Sequence, residues 1–156
     1  MKKIIIALAL AAACRTTSST TTSASPVAAP VLRGNETGAA DGESAVRGFM
    51  SAVEQQDLQL MSGLWGDVQG PSRDRLARTE LEQRESVMMC YLKHDKYAVM
   101  GDAPVPGGGR AYAVNLTLRD MTRAATFEVV QGPGRRWYVQ AIPDMNKLQE
   151  FCQRRS

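Results

Sequence analysis

The chain has 156 residues, 44% of them hydrophobic and 22% charged. That length fits one domain and excludes a multidomain enzyme, and a charged content near the globular average excludes disorder throughout. The 19 Lys and Arg residues face 16 Asp and Glu; with Lys2 and Lys3 assigned to a leader the remainder is nearly neutral, and no basic stripe of the kind that binds nucleic acid is present.

Lys2 and Lys3 open residues 1–13, and an apolar run follows over 4–13. The run is too short to span a bilayer at about 1.5 Å per residue. It has the length of the apolar region of a signal peptide. Ala11, Ala12 and Ala13 then precede Cys14. This resembles the lipobox of bacterial lipoprotein signal peptides, in which the cysteine becomes the lipidated first residue. The common pattern places Leu three positions before the cysteine; here that position holds Ala11, with Leu10 one place further back. The alternative is an ordinary secretory signal cut after small residues. The resemblance implies a Cys14 bearing acyl chains such as palmitate, which anchor a protein stably when two or more act together. Arg15 stands where enteric lipoproteins kept in the inner membrane carry Asp. It implies the outer membrane, with the domain facing the periplasm. No later apolar run is long enough to span a bilayer.

Residues 14–42 follow as a tether. Ser and Thr dominate 15–25, and Pro26, Pro30, Gly34, Gly38 and Gly42 are set among alanines. Neither a helical nor a strand period is present. Such a stretch buries too little apolar surface to offset its ordering entropy, so it reads as a flexible linker.

The domain is placed at 43–156. Asp41 is the expected N-cap of a helix reaching about residue 56. Val46, Phe49, Met50 and Val53 fall on one face of it. Asp57 restarts a shorter helix carrying Leu58, Leu60, Met61, Leu64 and Trp65, and Gly66 ends it. Pro71-Ser72 opens a third helix, with Asp74 in its first turn where the dipole favours negative charge. Ala77, Leu81, Met88 and Leu92 form its expected buried stripe, with Arg78, Glu82 and Glu85 pointing outward.

After Lys93 the period changes to two. A short strand is expected at 97–102, then a loop at 103–109. The next strand, 110–119, sets Tyr112, Val114, Leu116 and Leu118 on one face. A turn at 120–123 leads to a strand at 124–131 with Ala125, Phe127 and Val129 facing one way. Gly132-Pro133-Gly134 turns the chain into a last strand at 135–142. Pro143-Asp144 caps a final helix through Cys152. The class is α+β: N-terminal helices packed on a curved antiparallel sheet of three to four strands, with a short C-terminal helix.

The segment AVRGFMSAVEQQDLQLMSGLWG and the closing RWYVQAI resemble the nuclear transport factor 2-like family. The features that carry the likeness are the helix–Asp57–helix junction and the closing strand with Trp137. They cover residues 43–142. The resemblance implies a cone-shaped, cystatin-like fold with helices across a bent sheet. It also implies dimerisation through that sheet. The family holds ketosteroid isomerases, polyketide cyclases and many small exported domains of unknown role.

Lipidation of Cys14 leaves Cys90 and Cys152, an even number in an oxidising compartment. A disulfide between them would enclose 61 residues, and loop-closure entropy then gives roughly 4 kcal/mol. The alternative is two buried free thiols. Cys90 and His94 have the i, i+4 spacing of a ligand pair, but no third ligand is evident. Neither a metal nor a cofactor is expected.

His94, the one histidine, lies in the polar connection Lys93-His94-Asp95-Lys96 and reads as an exposed turn residue. No Gly-x-Ser-x-Gly elbow accompanies it. Gly107-Gly108-Gly109 is not a phosphate loop, because neither a Lys-Ser/Thr pair nor a helix follows. Likeness to the isomerases asks for an inward acid beside a donor such as Tyr112. Asp102 and Asp120 fall at strand ends and Glu128 alternates with the apolar face, so no catalytic residue is assigned. Met61, Trp65, Met88, Tyr91, Tyr112, Leu116, Phe127 and Trp137 are candidates for lining a cavity that takes an apolar small ligand. They serve equally well as core. Arg119, Arg123, Arg135 and Arg136 surround two turns and are a candidate surface for an acidic partner. The expected function is that of a membrane-anchored envelope lipoprotein, a non-catalytic module that binds an envelope protein or a small ligand. The alternative is a small-molecule isomerase or dehydratase-like enzyme using the cone.

Overall fold

A computed structural model of the protein describes residues 37–153. The leader, Cys14 and most of the tether lie outside the described residues.

Two acidic caps organise the first helices. Asp41 accepts the Ser44 amide at 2.8 Å and starts α1 (Gly42–Gln55). Such a cap satisfies one of the amides a helix start leaves unpaired. Val46, Phe49, Met50 and Val53 are all buried, as their spacing requires. Gln56 takes the left-handed conformation at φ 54° and ends α1. Asp57 at once caps α2 (Leu58–Leu64) by accepting the Leu60 amide at 2.9 Å. Only the two capping residues, Gln56 and Asp57, therefore separate the helices.

A short ribbon of β1 (Gly66–Asp67) and β2 (Gly70–Pro71) follows. Trp65, just before it, bridges in parallel to Val139 on the main sheet. The third helix, α3 (Arg78–Tyr91), starts later than the Pro71-Ser72 signal suggests. Ser72–Asp74 is instead a single 3₁₀ turn, and the helix begins after Ala77, which has no capping side chain and is exposed. The stripe itself is Leu81, Glu85 and Met88, so Glu85 points inward rather than outward. Leu92, just past the helix, is fully buried.

The main sheet is a four-stranded antiparallel meander, β3-β4-β5-β6. Its strands are β3 (Lys96–Val105), β4 (Gly109–Leu118), β5 (Met121–Gln131) and β6 (Trp137–Ala141). Two strands are longer than expected. The sequence reads 103–105 as loop, but Ala103, Pro104 and Val105 pair with Ala111, Arg110 and Gly109. Pro104 is tolerated because β3 is an edge strand, where a missing amide costs no ladder bond. Residues 121–123 likewise belong to β5, and the turn is only Arg119-Asp120, with Arg119 at φ 57°. The last strand is shorter, since Pro133–Arg135 forms a 3₁₀ turn before Trp137. The C-terminal helix is also shorter: Met145–Leu148 is 3₁₀ and only α4 (Gln149–Gln153) is α-helical.

Tyr112, Val114, Leu116 and Leu118 on β4 and Ala125, Phe127 and Val129 on β5 face the core. α1 lies across β4, β5 and β6. Phe49 meets Phe127 edge to face, ring centroids 6.3 Å apart. The Cys90–Cys152 disulfide joins α3 to α4, with Cα atoms 4.8 Å apart.

The domain begins before residue 43, where the tether was expected to continue. Ala39 pairs with Trp137 through amide–carbonyl bonds of 2.8 and 2.9 Å. Arg136 donates to the carbonyls of Thr37 and Gly38 at 3.1 and 2.6 Å. Gly38 and Ala39 are buried by these contacts. Among the described residues, no helix is long and apolar enough to cross a membrane.

Candidate functional site

The cavity-lining candidates are brought together, but as core. Met61, Leu116 and Phe127 have 0% exposure, so they present no surface to any water-sized space. Met88 and Tyr112 are buried, and Trp65, Tyr91 and Trp137 are half-buried against the same cluster.

Tyr112 does have an acid beside it. Asp102 is its cross-strand partner. That carboxylate is ion-paired with Arg110 at the partly exposed margin of the same sheet face as Tyr112. Burial, then the nearby Asp102 charge, raise the Tyr112 phenol above its ordinary value. A carboxylate neutralised by a guanidinium at the rim is poorly placed to act as a base inside a dry site.

The buried acid lies elsewhere. Glu85, on the inner stripe of α3, is 1% exposed. Its Oε1 has no hydrogen-bond partner. Burial, and secondarily the charge of Glu82 one turn earlier, push its carboxyl up to about 7. Lone buried carboxyls are costly to ionise. Groups so displaced are concentrated at functional sites.

Glu85 lines a cleft of about 510 Å³ between α2, the Ser72–Asp74 turn and α3. Gln59 and Ser62 form its α2 wall, Leu76 and Leu81 an apolar wall, and Arg73, Arg78 and Glu82 its charged rim. Ser62, itself buried, donates to the Gln59 carbonyl at 2.8 Å. Arg78 is paired with Glu82 at 2.7 Å. Arg73 forms no ion pair with a described residue. The volume suits a small organic molecule.

His94 is less exposed than its polar neighbours imply. Its Nδ1 donates to the Leu92 carbonyl at 2.9 Å, its ring meets Tyr97 edge-on, and Nε2 is buried without a partner. It borders a smaller cleft of about 340 Å³ beside Cys90, Met89 and Val53. Among the described residues, no group of three or more His, Cys, Asp or Glu is placed to hold a metal.

The four arginines do not converge. Arg119 and Arg135 lie beyond opposite ends of β5, a strand of 11 residues. Arg123 pairs with Glu150 and Arg136 holds the N-terminal carbonyls. The signal that marks Glu85 is its spacing, against its residue type: Leu81, Glu85, Met88 and Leu92 follow i, i+4, i+7 and i+11. Comparison with protein-family models, with curated proteins and with solved structures finds no match.

Proposed function

We propose that this chain is a lipoprotein of a bacterial cell envelope, held to the membrane by an acylated Cys14 and acting as a non-catalytic binding module. The observation that carries this reading is the Cys90–Cys152 disulfide. Disulfides persist in exported, oxidising compartments and are rare in the cytosol. That agrees with a basic, apolar and small-residue leader ending just before Cys14. The likeness to the nuclear transport factor 2-like family is supported by the element order: helices α1 to α3 precede a four-stranded antiparallel meander. The helix–Asp57–helix junction and the Trp137 strand are both formed. A binding rather than an isomerase role is supported by the packed interior around Phe127 and by the Asp102–Arg110 pair at Tyr112.

The test is fractionation of bacterial cells that express the full chain. The wild-type protein is expected with the membranes and Cys14→Ser in the soluble fraction. Membrane retention of Cys14→Ser refutes the lipid anchor.

A further inference from the structure

The α2–α3 cleft has an inner end and a rim of opposite chemical character. At the inner end stands Glu85, 1% exposed, with Oε1 unpartnered. At the rim stands Arg73, half-buried and not ion-paired to any described residue. Arg78 is already engaged by Glu82. Leu76 and Leu81 give the same cleft an apolar lining. A buried carboxyl oxygen without a partner is costly in a fold, and a donor brought by a ligand removes that cost. An ammonium group is the donor best matched to it in charge. A ligand carrying only an ammonium would also meet the Arg73 charge, which no described residue pairs. A ligand carrying an acid as well would satisfy both.

We propose that this cleft binds a small zwitterion, a free amino acid with an apolar side chain, its ammonium held by Glu85 and its carboxylate by Arg73. The inference deepens the binding-module reading and rests on it. It is independent of the lipid anchor.

The experiment is calorimetric titration of the full chain in detergent micelles at pH 8. The probes are L-leucine, 4-methylpentanoate, which lacks the ammonium, and 3-methylbutylamine, which lacks the carboxylate. Leucine is expected to bind, and each analogue to bind at least tenfold more weakly. Glu85→Gln and Arg73→Gln are each expected to weaken leucine binding at least tenfold. Both variants are checked by thermal melting, and Glu85→Gln is expected to melt no lower than wild type, so loss of binding there is not loss of fold. No binding of leucine, equal binding of either analogue, or unchanged binding to Glu85→Gln overturns the proposal. The fractionation of Cys14→Ser does not change with any of these results, so failure of the zwitterion site and failure of the anchor are told apart.

Discussion

Cys90 on α3 and Cys152 on α4 stand 62 positions apart in sequence, yet their Cα atoms are 4.8 Å apart and their sulfurs are bonded. The bond fastens the last segment of the chain to the helical layer. Leu148 and Phe151 from that segment are fully buried. Arg123–Glu150 and a 3.0 Å bond from Thr126 to Asp144 tie it to β5 as well.

Reduction is therefore expected to lower stability. Loop-closure entropy sets the scale at roughly 4 kcal/mol, and the other ties of α4 hold the segment in place without the bond. The thermal midpoint should fall by many degrees with dithiothreitol and equally in a Cys90→Ser/Cys152→Ser variant. Identical midpoints with and without reductant would show that the closure contributes nothing.

Glu85 makes stability depend on pH. Its folded carboxyl titrates near 7, against an ordinary 4.5. The folded state thus holds this proton more tightly than the unfolded chain does. Its contribution is fully present below about pH 4.5, declines as pH rises, and is lost above about 7. At about 1.4 kcal/mol per pH unit, ionising the buried group costs roughly 3 kcal/mol. Glu85→Gln is expected to gain on wild type by an amount of that order at pH 8, with the advantage vanishing near pH 4.5. Urea denaturation of both proteins at several pH values measures the difference. A difference that does not vary with pH would show that Glu85 titrates normally.

Gly38 fixes the point at which the tether joins the fold. It lies at φ +64°, and a Cβ there would come within 2.7 Å of the Arg136 Cβ and 2.8 Å of the Tyr138 ring. A β-branched residue meets both the backbone penalty and the clash. Gly38→Val is expected to cost about 2 kcal/mol or more, and to free the segment before α1 for proteolysis. A denaturation midpoint equal to that of wild type would show that Thr37–Ala40 does not anchor the domain.

The first two helices were legible because the chain states them twice, in apolar spacing and in the caps Asp41 and Asp57. The inward faces of β4 and β5 were legible from simple alternation. Strand ends were not. Pro104 and three glycines read as loop, but an edge strand has no need of the proline amide. Arg119-Asp120 makes a tight hairpin turn without the Gly or Asn that usually marks the left-handed position. The candidate site was hidden for a different reason. A glutamate on a buried helical stripe contradicts ordinary solvation, and that contradiction is the feature that now marks it. The N-terminal contacts of Arg136 are made to residues 98 and 99 positions away and have no local signature.

The proposed protein is an exported domain held by a lipid at Cys14 and closed by Cys90–Cys152. The most direct measurement is the intact mass of the protein purified from membranes, followed by alkylation before and after reduction. The expected result is a chain that begins at Cys14 and carries acyl mass, with two thiols that react only after reduction. An unacylated chain with two thiols reactive from the outset would contradict it.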